Sequence, residues 1–439
     1  MRGSTMLRRP ILLIVFLAAM SSLCVSLARA QTVAPGQHVK LAGSNEQGVP
    51  LHREPRPSMV GRIPDGTVAT VIDTAREGRW LRVTTTADLS GWIVPRYIEA
   101  VVSGPVPPTA APAAADRADE DETRVWESAS SCEDIVHTGR RMATARGDVL
   151  RIATWNIRWF PDGDLNGTPE SRTDLPWLAC ALAWMNADVV ALQEIRTTPT
   201  AAQAWEAVTD GLSALTGNDW KVGFQECGSP MRQHTGFLWN ASRVELSGPQ
   251  DLWKLNGAAE GPGAPCASGL RPGHYRMVRA KGGGADFHIV SVHLDSGTAP
   301  RDRANRDTAI GRIAEALAPV LPDDSDAIVL GDFNTMGSGT PDAAAAEIQA
   351  LEMAVGNQSP AFEHVAVEPA CTEYFDGHAG WLDHVVVARA MTEASQRTAR
   401  VTGYCALTNC ARLPRPPAAA ERLSDHCPVV YEVDNRDLD

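Results

Sequence analysis

Six short polar clusters punctuate the second half of this chain in a fixed order, and most of them close a short apolar run. They are Trp155-Asn156, Gln193-Glu194, His293-Leu294-Asp295, Gly331-Asp332-Phe333-Asn334, Leu382-Asp383-His384 and Ser424-Asp425-His426. The flanking runs are Leu150 to Thr154, Val189 to Leu192, His288 to Val292, Ala327 to Leu330, Val385 to Ala388 and Pro428 to Val433. A short apolar run bounded by polar residues reads as a buried strand. Such a chain folds around sheet structure and presents carboxylates, amides and imidazoles at the strand ends. Those groups are what a metal-assisted reaction at phosphorus requires, which favours an enzyme over a binding module.

The N-terminus stands apart from any fold argument. Arg2, Arg8 and Arg9 precede the apolar stretch Ile11 to Met20, and Ala28-Arg29-Ala30 supplies a small-residue cleavage site. Residues 1–30 therefore read as a secretory signal peptide. The stretch is too short for a transmembrane helix, which takes about 20 apolar residues, and no other run reaches that length. Export in soluble form, to the periplasm or the medium, is the expectation. Cleavage moves the net charge from −13 to about −17. An acidic protein lacks a broad basic face for tracking nucleic acid, although a divalent metal at the site offsets this locally. Nine cysteines become eight on cleavage, all beyond residue 130, and an even count in an exported chain suggests disulfides. Cys405 with Cys410 and Cys227 with Cys266 are plausible pairs, while Cys180, in an apolar helical segment, reads equally as a buried thiol.

Residues 102–124 are rich in Pro and Ala and then turn acidic, without apolar periodicity, and read as an extended or disordered tether. They separate a small module, residues 31–101, from a large one, residues 125–439. The small module alternates apolar and polar residues between turns, as in Gly66 to Ile72 and Trp80 to Val83, which predicts a compact all-β barrel. Its stretches Leu51 to Pro55, Val60 to Gly66, Gly78 to Leu81 and Gly91 to Ile98 resemble a bacterial SH3-like domain. That resemblance implies a docking role toward cell wall, peptide or the chain itself. The plainer alternative is a barrel whose Trp80 and Trp92 only pack.

In the large module, Leu175, Leu178, Leu182 and Met185 fall at helical spacing, as do Ile310, Ile313, Leu317 and Val320. Strands also follow one another directly, as in Tyr275 to Ala280 and Ala285 to Val292. The mixture predicts an α+β fold, a four-layer α/β/β/α sandwich of two packed mixed sheets with helices outside, preceded by the small all-β barrel.

Each polar cluster alone is weak, since Asn and Asp favour turns on local hydrogen-bonding grounds. Together, in this order, they resemble the endonuclease/exonuclease/phosphatase superfamily over roughly Asp148 to Val433. That superfamily includes pancreatic-type deoxyribonucleases, secreted sphingomyelinases, apurinic-site endonucleases and inositol-polyphosphate phosphatases. Glu194 reads as the primary ligand of Mg²⁺, with Mn²⁺ or Ca²⁺ as the other hard ions of this kind, and Asn156 can face the same ion with its amide oxygen or a phosphate oxygen with its NH₂; the resemblance adds Asp425 to the metal shell. It implies that Asp332 orients or deprotonates the attacking water and that Asn334 binds the phosphate. It makes His426 the general base or phosphate-binding imidazole, with Asp383 fixing its tautomer. His293 then assists the leaving group or contacts the phosphate, Asp295 supports it, and Arg271 is a weaker candidate for a phosphate contact. Asp332 and Asn334 are expected to point one way from an extended backbone while Phe333 enters the core. His384, facing away from Asp383, reads as structural.

The leading expectation is a secreted, metal-dependent phosphodiesterase hydrolysing DNA, or RNA, by in-line attack of water. A sphingomyelinase-like lipid phosphodiesterase or a small-molecule phosphatase is the runner-up, although no exposed aromatic hairpin of the lipid-docking kind is legible. A noncatalytic cell-wall-binding or interaction protein retaining the fold is the reading from a different class.

Overall fold

The structure, a computed structural model, describes residues 37–42, 49–52, 55–56, 59–63, 65–76, 79–85, 90–102, 114–144, 148–257, 270–322, 324–396 and 398–438. The expected signal peptide and Cys266 lie outside the described residues. The chain divides into two compact units between residues 111 and 112.

In the first unit, strands β1 (His38–Leu41), β2 (Val49–His52), β3 (Met59–Ile63), β4 (Val68–Ala75), β5 (Trp80–Thr85), β6 (Ser90–Ile93) and β7 (Ile98–Val102) form one sheet. Their order is β3-β2-β6-β5-β4-β1-β7, and neighbours run antiparallel. Val39, Leu41, Val71, Val83 and Ile93 are its buried core. The alternation at Gly66 to Ile72 and Trp80 to Val83 is that of β4 and β5, with inward residues buried and outward ones in water.

The second unit begins with α1 (Ala114–Val125), so the acidic end of the expected tether is helical rather than extended. Its last turns are held by tertiary contacts. Buried Glu122 accepts a hydrogen bond from Thr402 and pairs with Arg400, and Asp121 pairs with Arg140 at 2.5 Å. Acidic residues that looked solvated in sequence are thus partnered by residues distant along the chain.

After α2 (Ala129–Val136) come β8 (Val149–Phe160), α3 (Leu175–Met185), β9 (Val189–Ile195), α4 (Pro199–Thr216), β10 (Trp220–Phe224), β11 (His234–Asn240) and β12 (Val244–Leu252). Then follow β13 (Gly273–Ala280), β14 (Asp286–His293), α5 (Pro300–Gly311), α6 (Ile313–Leu317), β15 (Ala327–Asp332), α7 (Pro341–Gly356) and β16 (Phe362–Glu368). The chain ends with β17 (Glu373–Phe375), β18 (His378–Gly380), β19 (Asp383–Ala388), β20 (Thr398–Val401), α8 (Tyr404–Leu407), α9 (Ala418–Arg422) and β21 (Val429–Asp434).

The two sheets expected from the sequence are two halves of one curled mixed sheet of twelve strands among the described residues. Its order is β10-β11-β9-β8-β21-β20-β16-β19-β15-β14-β13-β12. Strand β16 joins the halves: Phe362 to Val365 pair with β19, and Ala366 to Glu368 pair with β20. The halves meet through their central strands, where Gln193 of β9 donates to Ser291 of β14 at 3.1 Å. This curl brings the ends of β8, β9, β14, β15 and β19 together.

The helix expected through Val320 is broken at Arg312 into α5 and α6. The Gln358 side chain inserts there. Its amide donates to Ile310 O at 2.8 Å and accepts from Ala314 N at 2.6 Å, replacing the bond those groups would make to each other. Three disulfides are described: Cys132–Cys180, Cys371–Cys410 and Cys405–Cys427. The expected Cys405–Cys410 staple is not formed, and Cys180 is not a free thiol. Each finds a partner across packed segments that sequence spacing did not reveal.

Candidate active site

Strand β8 and its neighbours set the first wall of the site. The pairing of β8 with β9 shifts register between Asn156 and Phe160, and Arg158 and Trp159 take positive φ of 27° and 49°. That distortion turns the Trp159 N–H onto Glu194 Oε2 at 3.0 Å. Glu194 itself (φ 63°) and Asn334 (φ 53°) also occupy the left-handed region. Non-glycine residues held there cost roughly 1–3 kcal/mol each, and such strain gathers at functional sites.

Asn156 is fully buried, and its amide bridges the two central carboxylates. Nδ2 donates to Asp332 Oδ2 at 2.9 Å and to Glu194 Oε1 at 3.2 Å, while Oδ1 accepts from Arg158 N at 3.0 Å. Its NH₂ thus orients both carboxylates, and its oxygen keeps a second lone pair. Opposite, β14 and β15 run parallel with His293 in register with Asp332. Their approach requires glycine at residue 331, where φ is +145° and a Cβ would come within 2.0 Å of Val292 O.

His293 Nε2 lies 3.6 Å from Asp332 Oδ2 and 3.9 Å from Glu194 Oε1. Glu194, His293 and Asp332 each offer one ligand atom, all within 4.8 Å of one another. Burial, then the charge of Asp425, raises Glu194 above the usual carboxylate range. Burial, with help from Asp383, pushes Asp332 up to about 7. Burial holds the His293 imidazole well below its ordinary value, so it is neutral. Buried Asp332, half-buried Glu194 and a neutral imidazole form a donor set for a hard or borderline divalent cation. Among the described residues, buried His293 Nδ1 has no hydrogen-bond partner.

His426 completes the far wall. Its Nδ1 is 2.8 Å from Asp383 Oδ2, and its Nε2 faces Asp332 Oδ2 across 3.9 Å, beyond hydrogen-bonding reach. Burial opposes the imidazolium, yet Asp383, Asp332 and Asp425 outweigh it and raise His426 well above its ordinary value. Ser424 locks this turn to β8 by donating to Asn156 O at 2.7 Å and accepting from His426 N at 3.1 Å.

The other expected residues fall close by. Asn334 is not extended. Its N–H bonds Asp332 Oδ1 at 2.9 Å and its Nδ2 bonds Leu294 O at 3.1 Å, a turn that asparagine tolerates. Phe333 enters the core as expected. Arg271 is tied down, donating to His293 O at 2.9 Å and Leu294 O at 2.8 Å, and so braces the end of β14. Asp295 accepts from Asn305 at 2.8 Å, and Arg306, paired with Glu347 at 2.7 Å, holds Asp295 O. Asp425 is partly exposed and lies outside the close trio. His384 is structural: buried, it meets Thr335 Oγ1 and His364 Nε2, each at 2.8 Å.

Sequence reasoning missed Glu373 of β17, which is buried and backbone-bridged to His426. Burial, with added repulsion from Asp425, Asp332 and Asp383 against the pull of His426, raises it to about 8. No apolar run announces β17, only the pattern Thr372-Glu373-Tyr374 beside Cys371. Sequence reasoning also missed an exposed aromatic hairpin: β17 and β18 pair antiparallel, with Phe375 at the turn 76% exposed.

A model of the Endonuclease/Exonuclease/phosphatase family matches residues 153–426. A curated relative named "Deoxyribonuclease", from Thioalkalivibrio sp. (strain K90mix), is 27% identical over 188 residues, which is 42% of this chain. The match spans about half, 46%, of that relative's length. An endonuclease/exonuclease/phosphatase structure from Bacteroides vulgatus aligns over 66% of this chain and 100% of its own, at 17% identity and a TM-score of 0.46. The human Nocturnin catalytic domain with bound sulfate anion aligns over 65% and 95%, at 17% identity and a TM-score of 0.42.

Proposed function

The chain belongs to the endonuclease/exonuclease/phosphatase family, whose members are phosphoric ester hydrolases, and we propose that it is an exported, divalent-metal-dependent phosphodiesterase acting on DNA, with RNA the nearest alternative. The observation that carries this reading is the convergence of Glu194, His293, Asp332 and the Asp383–His426 pair, drawn from positions more than two hundred residues apart. The name of the Thioalkalivibrio relative supports nucleic acid as the substrate class.

In this reading Glu194, Asp332 and His293 would hold Mg²⁺, with Mn²⁺ or Ca²⁺ as substitutes, and Asp425 would add a further carboxylate. The ion, when bound, draws charge from a phosphoryl oxygen. Asn156 keeps both carboxylates aimed at that position. Asp383 holds the Nδ1 proton of His426 and turns Nε2 toward Asp332. Protonated His426 binds a nonbridging oxygen of the phosphate. Asp332 orients the attacking water and takes its proton as the P–O bond to the leaving alcohol breaks, and the leaving oxygen takes its proton from solvent. Asn334 offers its free Oδ1 and its backbone beside the phosphate, and Arg271 adds positive charge behind His293. A neutral imidazole suits His293 as a ligand better than as the proton donor the sequence suggested.

The seven-stranded unit serves in the same reading as a bacterial SH3-like module docking on cell wall or peptide. Three disulfides agree with passage to an oxidising compartment, and no helix among the described residues is long and apolar enough to cross a membrane. Exposed Phe375 beside the site favours a second reading, a sphingomyelinase-like lipid phosphodiesterase.

The test offers the purified protein plasmid DNA, RNA, sphingomyelin and a generic phosphodiester, with Mg²⁺ and then with EDTA. Nicking of DNA that EDTA abolishes is the expected result. Cleavage of sphingomyelin alone selects the second reading, and inactivity on all four favours the noncatalytic docking role.

A further inference from the structure

Beside Asp425 the structure holds a cavity of about 260 Å³ that the catalytic groups leave unused. One wall is the β17–β18 hairpin, through Tyr374, Asp376 and Gly377, and the other is the strap from Leu413 to Glu421. Arg158 closes one end, and Asp425 is shared with the catalytic site. The walls are fixed to each other. Leu413 N donates to Gly377 O at 2.9 Å, the Tyr374 hydroxyl donates to Ala411 O at 2.8 Å, and Cys371–Cys410 ties the strap's origin to the hairpin's.

The lining is divided by chemistry. Leu413, Pro414, Pro416 and Pro417 supply a stiff apolar face. Asp376, Glu421 and Asp425 supply carboxylate acceptors. Phe375, between the lining residues Tyr374 and Asp376, is exposed, and Arg412 and Arg415 alternate with the lining residues along the strap, both exposed. A flat ring fits against prolines and Phe375, its amino hydrogens against carboxylates, and its phosphates against arginines. A lipid surface fits less well, because Asp376 adjoins Phe375 and an anionic headgroup layer would repel it.

We propose that this cavity is a nucleobase subsite for the nucleotide next to the scissile phosphate, in a single-stranded or unpaired stretch, and that it favours bases bearing an exocyclic amino group. Phe375 and the proline face stack the base, the carboxylates accept from its amino group, and Arg412 and Arg415 hold the adjoining backbone. The inference rests on the nuclease reading above.

Steady-state cleavage of short end-labelled oligo(dC) and oligo(dT), with bis(p-nitrophenyl) phosphate as a substrate lacking a base, tests it. The wild type should show kcat/KM for oligo(dC) about tenfold above oligo(dT). Phe375→Ala should raise KM for oligo(dC) about tenfold more than it raises KM for the nitrophenyl diester. Arg412→Ala with Arg415→Ala should flatten the salt dependence of oligo(dC) cleavage. Equal use of the two oligonucleotides, or wild-type KM in Phe375→Ala, overturns the subsite while leaving the nuclease reading intact. Sedimentation with phosphatidylserine vesicles that Phe375→Ala abolishes, with oligonucleotide KM unmoved, reassigns the surface to lipid and also overturns it. A wild type that hydrolyses the nitrophenyl diester but neither oligonucleotide overturns the nuclease reading and the subsite together.

Discussion

His426 and Asp383 form the pair to which the proposed function gives the phosphate. The carboxylate at 2.8 Å outweighs the desolvation of the imidazole, so His426 stays cationic where a buried histidine would ordinarily be neutral. Replacing His426 by Ala should leave the circular dichroism spectrum unchanged and lower turnover at least about 10²-fold; near-normal turnover would remove it from the mechanism. Replacing Asp383 by Asn removes the charge that lifts the imidazole, so its titration, followed by NMR, should move to lower pH; an unmoved titration would show that Asp383 has no part in it. Both residues were legible in sequence because each sits at the end of an apolar run. The behaviour of Asn156, Asn334 and Arg271 was not. A side-chain amide can donate or accept, and only the positions of Glu194, Asp332 and Leu294 decide which it does. Glu373 was invisible for a related reason: its burial comes from neighbours distant in sequence and not from its own segment.

At the scale of elements, the six apolar runs flanking the polar clusters fall in strands, save Pro428 just before β21, and α3 spans the predicted segment almost to the residue. It is capped by Asp174, which accepts from Trp177 N, and closed by Asn186 in the left-handed conformation. Helix α3 was readable because its caps and periodicity are local. The break after α5 was not, because it depends on a glutamine more than forty residues further on. The Cys405–Cys410 pairing failed in the same way. Cys371–Cys410 closes 39 residues and Cys405–Cys427 closes 22, and together they hold the strap and β17 against the turn carrying His426. Replacing Cys371 and Cys410 by Ser should cost about 4 kcal/mol by loop closure, measured by denaturant unfolding against the wild type. A loss of stability below about 1 kcal/mol would mean that the hydrogen bonds between hairpin and strap suffice without the bridge.

Across the whole molecule, a chain of net charge −13 concentrates Glu194, Asp332, Asp383, Glu373 and Asp425 in one place. The mixed α+β class was legible from the order of strands and helices, but the continuity of the sheet was not. It depends on β16 pairing with two partners along one length. The buried carboxyls have a consequence for stability. Asp332 and Glu373 titrate at about 7 and about 8 in the folded protein, above their ordinary values of 3.8 and 4.5. Between those limits these two groups bind more protons in the native state than in the unfolded one, so their contribution to metal-free stability falls as pH rises through the window. Buried His293 and His384, held low, contribute with the opposite sign, so the test is a difference: in EDTA, the change in Tm from about pH 6 to about pH 8 should be more negative in the wild type than in Glu373→Gln. An equal change in the two proteins would contradict the burial of Glu373. The sharpest test of the central claim is calorimetric titration of Mn²⁺ into the wild type, Glu194→Gln and Asp332→Asn. The wild type should bind the ion and each substitution should weaken binding at least about tenfold. Affinity unchanged in both variants would show that these residues, though gathered in one pocket, do not hold a metal there.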